Sequence, residues 1–241
     1  MSSKKASSHA RATPAPHPAA PAAIPAGKRK VLLVDDHPLV REGLGRLVND
    51  QPDLHVVGEA DGPVRALELI KQSRPDLVAL DLSLSGGDGL ELCKQLHDLY
   101  PDLPVLIISM HDESLYAERA LRAGASGYVM KQAPQEQVMA AIRRTLAGET
   151  WLSEKMSAKL LRSLRGARAE SDVSPLERLT DRELEIFRMI GQGLSVKAIA
   201  DALFLSPKTI EAHKEHIKQK LNLESSNDLL QYAIQARDHS A

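Results

Sequence analysis

Three carboxylates in this chain stand where apolar, strand-like runs end. Asp35 and Asp36 close a first run, Val31–Asp35, and Asp81 closes a third, Leu77–Asp81. Ser109 ends a fourth run, Val105–Ser109, and Lys131 follows a fifth, Gly127–Met130. Carboxylates gathered at one place repel, so they need a divalent cation or raised pKa values. Oxygen ligands with water access suit Mg2+. An ammonium and a hydroxyl beside them would receive an anion. Such a set suits phosphoryl transfer, where positioning and charge neutralisation supply most of the catalysis. Singly, each residue has a plainer reading. An aspartate after a strand is commonly a turn residue or helix cap. Lys131 alone would be a solvated charge, and Ser109 alone a cap for the next helix. The joint placement carries the chemical reading.

The elements that must position these groups alternate. With His55–Glu59 there are five strand candidates, and amphipathic stretches lie between them. Val40, Leu44, Leu47 and Val48 fall on one helical face, as do Leu92, Leu96 and Leu99, and a last helix spans roughly Gln135 to Leu146. Alternating strands and helices imply a parallel sheet covered on both faces, with right-handed crossovers. The pattern does not state the strand order. The flavodoxin-like order 2-1-3-4-5 is chosen among doubly wound options, because it sets strands one and three side by side at the switch point. The carboxylates then meet outside the carboxyl ends of the strands.

The strings Val34-Asp35-Asp36-His37-Pro38, Asp81-Leu82-Ser83-Leu84, Ser109-Met110-His111-Asp112-Glu113 and Gly127-Tyr128-Val129-Met130-Lys131 resemble the blocks of response-regulator receiver domains over about Lys28 to Trp151. The resemblance implies that Asp81 is the phosphoacceptor. Asp36, Asp81 and the main-chain carbonyl of Ser83 would ligate Mg2+, and Asp35 would hold the ion largely through water. Lys131 would pair with phosphoryl oxygens, Ser109 would hydrogen-bond one of them, and Tyr128 would be the aromatic whose orientation reports the switch. One position departs from the pattern. Four residues after the phosphoacceptor, similar sequences have proline, and here Ser85 stands, followed by Gly86, Gly87 and Gly89. This loop should therefore be freer than usual, with phosphoryl lifetime the property affected.

The last third of the chain is helical in pattern. Thr180-Asp181-Arg182-Glu183 is a capping box opening a helix with Leu184, Phe187 and Ile190 or Met189 inward. Gly191 and Gly193 can end it. Ser195 can cap a second helix, carrying Ile199, Ala200 and Leu203, and Phe204-Leu205 forms a short turn. Ser206 caps a third helix with Pro207 at its first position, running to about Leu221. A fourth starts at Ser225 or Ser226. Two helices joined by a tight turn, the second polar outside, make a helix-turn-helix pattern. A structural bundle with a solvated face would show the same pattern. The string Leu179–Glu183 and the block Lys197 to Leu223, however, resemble the LuxR-type helix-turn-helix, so the whole chain resembles the NarL/FixJ response regulators.

That resemblance places Lys208, Thr209, Glu211, Ala212 and Glu215 near the groove-facing side of the third helix. Lys214, Lys218 and Lys220 are better phosphate contacts, and His213 supports packing or a phosphate contact. Glu211 or Glu215 would accept from cytosine N4, or would instead pair with a nearby lysine. His213 shows no partner pattern for a metal. The fourth helix would mediate dimerisation on DNA through Leu230, Tyr232 and Ile234. The implied partners are a sensor histidine kinase, double-stranded DNA and a second copy of the chain.

Composition bounds these readings. A formal net charge of -1 is evidence against a general polyanion binder, though not against one short basic helix. Cys93, the single cysteine, cannot form an internal disulfide and reads as a small core residue. No apolar run approaches the roughly 20 residues that span a bilayer, and no signal-peptide core follows the N-terminal basic residues, so cytoplasmic residence without a membrane partner is expected. The expected division is an Ala/Pro-rich disordered tail to residue 28, a receiver domain over 29–148, a linker with a short helix over 149–174, and the helix-turn-helix domain from 175 to 241. Two other functions fit less well. A Mg2+-dependent phosphatase of the haloacid-dehalogenase type prefers aspartates two apart on the first strand, whereas Asp35 and Asp36 are adjacent. A phosphorylation-independent DNA binder would have no use for the complete acidic cluster. Enzymatic activity beyond the receiver's own phosphorylation and dephosphorylation is not expected.

Overall fold

The computed structural model describes residues 27–84, 87–164, 174–203 and 205–238. The expectations for most of the tail, for Ser85 and Gly86, for residues 165–173 of the linker and for Phe204 lie outside the described residues. Five strands form one parallel sheet: β1 (Arg29–Val34), β2 (Leu54–Ala60), β3 (Leu77–Leu80), β6 (Val105–Ser109) and β7 (Gly127–Met130). Their order is β2-β1-β3-β6-β7, the flavodoxin-like arrangement, with β1 and β3 adjacent and Val34 opposite Leu80. A short antiparallel ribbon, β4 (Ser83–Leu84) with β5 (Gly87–Asp88), follows β3.

The sequences of β1, β3, β6 and β7 are near-continuous apolar runs because both faces are largely buried, whereas the edge strand β2 carries His55 and Glu59. Alternation sends Val31, Leu33, Ala79, Leu106, Ile108 and Val129 to one face, against Val48 of α1 (Pro38–Asn49) and Val138, Met139 and Ile142 of α5 (Gln135–Leu146). Leu32, Val34, Val78, Leu80, Ile107 and Tyr128 go to the other, against α2 (Pro63–Ser73), α3 (Gly89–Leu99) and α4 (Glu113–Arg122). The amphipathic reading was right about the helices but too generous at their edges. Val40 is 37% exposed and Leu99 54% exposed, at the margins of their stripes.

After α6 (Glu154–Leu164) the chain resumes with a 3-10 turn, Pro175–Arg178, and four helices: α7 (Asp181–Gly191), α8 (Val196–Ala202), α9 (Pro207–Leu221) and α10 (Ser226–Asp238). Each start has its cap. Thr180 and Glu183 close a reciprocal capping box, Ser195 accepts from the Ala198 amide, and Ser206 from that of Thr209. Ser225 and Asp228 bond reciprocally at the start of α10. Asn222, with φ +54°, ends α9 in the left-handed conformation. Ile199, Ile210, Ile217 and Leu229 are fully buried among these helices. A Cβ at Gly191 would collide with the main chain of Ala233, so this glycine sets the approach of α7 to α10. In α6, apolar Leu161 is 57% exposed, while Met156 is buried.

Candidate functional site

The carboxyl ends of β1, β3, β6 and β7 bring the expected chemical residues together. Asp81, immediately after β3, is 3% exposed. Its Oδ1 accepts from the Leu82 amide at 2.7 Å and the Ser109 hydroxyl at 2.8 Å. Lys131 Nζ lies 2.8 Å from Asp81 Oδ2 and 2.6 Å from Asp35 Oδ2, with its side chain 5% exposed. A buried ammonium between two buried carboxylates satisfies part of their charge in a place where unpaired charges are costly. Asp36 is more open, and its Oδ1 lies 2.7 Å from His37 Nδ1. Asp35, Asp36, His37 and Asp81 each put a ligand atom within 4.8 Å of the others. Three hard carboxylates with one side open to water are a donor set that fits Mg2+. His37 had no role in the sequence reading beyond its place in a motif.

Two glycines of the described part of the segment after Asp81 are closely packed. The Gly89 amide bonds the Leu82 carbonyl at 3.0 Å, and a Cβ on Gly89 would collide with the main chain of Asp81 and Leu82. A Cβ on Gly87 would meet the Pro63 ring. At these two positions the absence of a Cβ permits close approach of neighbouring groups beside Asp81.

Tyr128 is fully buried, and its hydroxyl donates to the His111 carbonyl at 2.8 Å. Burial holds its pKa well above the ordinary value of 10.0. His111 stands at the mouth of the pocket. Its Nε2 is 3.0 Å from Ser83 Oγ, and its ring lies 4.8 Å from that of Tyr116. Burial, then the nearby Arg188 and Lys131, lower the His111 pKa from 6.5 to about 3, so the ring is neutral.

Arg188 belongs to α7 of the C-terminal domain, which docks over this mouth. Its guanidinium contacts the His111 ring and donates to Ser83 Oγ at 3.4 Å. Its Nε is buried without a hydrogen-bond partner among the described residues. Arg119 of α4 makes a second anchor. It bonds Asp181 Oδ1 at 2.5 Å and the Leu179 carbonyl at 2.7 Å, with longer contacts to the carbonyls of Leu176 and Glu177. Lys159 of α6 bonds Glu177 at 2.7 Å and the Ser114 carbonyl at 3.0 Å. The fit is incomplete, since a cavity of about 280 Å³ remains between Met110 and Leu115 on one side and Phe187, Ala233 and Ala236 on the other. Neither His111 nor Arg188 had been given a role from sequence. His111 sits two residues past Ser109, which was a usable signal. For Arg188 there was none.

On α9, Lys208, Glu211, Ala212 and Glu215 are exposed, and Thr209 is half-buried with its hydroxyl 2.8 Å from that of Ser206. Lys214 pairs with Glu211 at 3.0 Å and Lys218 with Glu215 at 2.8 Å, each one turn apart. Lys220 turns inward to Glu183 at 2.6 Å. His213 is half-buried, and burial lowers its pKa. On α10, Leu230 is 37% exposed, Ile234 half-buried, and Tyr232 packs edge-on against Phe187 with ring centres 5.8 Å apart. Among the described residues no helix is long and apolar enough to cross a membrane.

Known proteins match both halves. Residues 31–143 match the response regulator receiver domain family, and residues 177–233 match the bacterial regulatory proteins of the luxR family. The oxygen regulatory protein NreC of Staphylococcus carnosus is 40% identical over 212 residues, covering 86% of this chain and 98% of the relative. Among solved structures, RcsB of Salmonella enterica serovar Typhimurium, bound to promoter rprA in the presence of the phosphomimetic BeF3-, superposes with a TM-score of 0.63 at 26% identity, covering 86% of this chain and 98% of that one. A LuxR-family two-component response regulator from an Aurantimonas species superposes with a TM-score of 0.53 at 36% identity, covering 57% of this chain and 99% of the other. With both domain families in this order and a relative of this identity along nearly its whole length, the chain belongs to the two-component response regulators of the NarL/FixJ type, a receiver followed by a LuxR-type DNA-binding domain.

Proposed function

We propose that Asp81 accepts a phosphoryl group from a sensor histidine kinase, and that this modification controls binding of a homodimer to specific double-stranded DNA. The observation that carries the reading is the setting of Asp81: buried, bonded by Ser109 and Lys131, and beside Asp35 and Asp36. A carboxylate oxygen of Asp81 attacks the phosphorus, the O–P bond forms, and the P–N bond to the kinase's histidine breaks. Asp36, Asp81 and the Ser83 carbonyl would hold Mg2+, with Asp35 acting largely through water. When bound, the ion neutralises charge on the transferring group. Lys131 moves from its two carboxylates to pair with phosphoryl oxygens, and Ser109 donates its hydroxyl to one of them. Tyr128 follows that movement because its hydroxyl is tied to the His111 carbonyl. The receiver catalyses its own phosphorylation and dephosphorylation and no other turnover.

The docked Arg188 links this chemistry to the DNA-binding domain. It rests on Ser83 and His111, which border the place where the phosphoryl group and ion would sit. A modified pocket and a docked Arg188 therefore compete, and phosphorylation favours the separated domain. The coupling required is modest, about 1–3 kcal/mol.

In the separated, dimeric form α9 enters the major groove. Lys208, Thr209, Glu211, Ala212 and Glu215 face the bases, and Lys214 and Lys218 serve the backbone, whereas His213 and Lys220, expected as phosphate contacts, turn towards Glu183 of α7. Leu230, Tyr232 and Ile234 of α10 supply the dimer contact. RcsB, solved on promoter DNA with a phosphomimetic, supports this reading by its similarity. Regulator, kinase output and DNA meet in the cytoplasm. Asp81→Asn is expected to abolish labelling by acetyl phosphate and by kinase, and to remove phosphodonor-dependent DNA binding. Labelling that persists in this variant would sink the assignment.

A further inference from the structure

The DNA-binding domain holds a second group of metal-ligating side chains, remote from the acidic pocket. Glu183 in the first turn of α7 and His213 and His216, one turn apart on α9, each place a ligand atom within 4.8 Å of the others. Along the chain His213 shows no such partner, because Glu183 comes from a different helix. The group is built, not incidental. The Glu183 carboxylate is 4% exposed and held by the Thr180 amide at 2.7 Å in the capping box. Ile210 and Ile217, both fully buried, flank the two histidines and seat α9 against α7.

The donor chemistry differs from that of the receiver. Two imidazoles and one carboxylate select zinc-class ions over Mg2+, and with water in the fourth position they match the composition of an open tetrahedral site. Ligand bonds of about 2.0–2.1 Å require donor atoms roughly 3.3 Å apart. His216 is exposed, so its ring is free to turn towards the other two donors when an ion binds. The competing cation is Lys220, 2.6 Å from Glu183 Oε2. Binding is thus an exchange in which the ion takes over the counter-charge of a buried carboxylate and Lys220 is released towards solvent.

We propose that Glu183, His213 and His216 bind a zinc-class divalent ion, which clamps the recognition helix α9 to α7. The test titrates the full-length protein with Co2+ in excess Mg2+, so that the receiver carboxylates are already occupied. A visible d–d absorption saturating at one equivalent and displaced by Zn2+ is expected. His216→Ala, at an exposed position, should keep the fold by circular dichroism and weaken binding about tenfold or more. Asp36→Asn should leave the signal in place. Absence of the absorption in the wild type, or an unchanged titration in His216→Ala, would overturn the proposal. So would loss of the signal in Asp36→Asn, because the ion would then belong to the receiver.

Discussion

Truncation of Arg119 should separate the two domains without touching the phosphorylation chemistry. In the docked state its side chain is 13% exposed and spans α4 to the start of α7. The Asp181 partner is half exposed, so that ion pair contributes at most about 1 kcal/mol. The short bond to the Leu179 carbonyl, with the longer ones to Leu176 and Glu177, adds charge-assisted hydrogen bonding of about 1.5 kcal/mol. In the separated state Arg119 is solvated and its loss costs little. Arg119→Ala therefore shifts the equilibrium by about 2 kcal/mol, or roughly 30-fold towards separation. Two readouts report it. The radius of gyration from small-angle X-ray scattering should increase. The acetyl-phosphate labelling rate of Asp81, followed by phosphate-affinity electrophoresis, should rise because Arg188 no longer rests on Ser83 and His111. An unchanged radius together with an unchanged rate would refute the idea that the docked domain limits access to the pocket.

Two further outcomes follow from the same contacts. His111 is held near pKa 3 instead of 6.5, first by burial and then by Arg188 and Lys131, so docking needs the neutral ring. The part of docking that depends on the neutral ring is fully present above pH 6.5 and is lost as pH falls towards 3, by up to about 1.4 kcal/mol per unit where the separated form protonates and the docked form does not. Asp88 and Glu185 act in the opposite sense, because burial raises both, and the docked form gains on them as pH falls through their raised values. Scattering at pH 7.5 and 5.5 should show the wild type opening and His111→Gln staying unchanged; equal behaviour of the two proteins would exclude His111 as the titrating group. Gly89→Ala should destabilise the receiver by about 1–3 kcal/mol through its collision with the Asp81 and Leu82 main chain, read as a lower urea midpoint. A midpoint equal to wild type would mean that the loop yields as its glycines first suggested.

Most of the receiver was legible because its signals are local and redundant. Four of the five strands, β2 excepted, are short apolar runs with a pocket residue at the end, and β6 and β7 have the boundaries read from sequence. The C-terminal helices were legible through their caps, since Thr180, Ser195, Ser206 and Ser225 each announce a start. Edges were less legible. Val40, Leu99 and Leu161 are apolar at helix spacing, yet exposed, because periodicity marks the centre of a buried stripe and not its width. Gly87 and Gly89 illustrate a different gap. A glycine cluster reads as freedom, but the same absence of a Cβ also permits close approach, and only the neighbours Pro63, Asp81 and Leu82 tell the two apart. The lysines of α9 show a third. Their number was plain, but whether each meets solvent or a glutamate depends on side-chain reach, and Lys214, Lys218 and Lys220 are all paired.

The contact that no local pattern announced is the one proposed to join chemistry to output. Ser83 and His111 border the pocket, and both are touched by Arg188 from a different domain. Such a contact is marginal by construction. It leaves a buried guanidinium nitrogen without a hydrogen-bond partner among the described residues and a cavity of about 280 Å³ beside it, so docking gives up part of what it gains. A tightly satisfied interface would not yield to a single phosphoryl group. Linkage then works in both directions. Whatever separates the domains, including DNA that binds the separated form better, must ease phosphorylation of Asp81 by the same factor by which phosphorylation eases separation. Phosphorylation equilibria measured with and without specific DNA should differ by that factor in the wild type, and the difference should shrink in Arg188→Ala, where the competing group is gone.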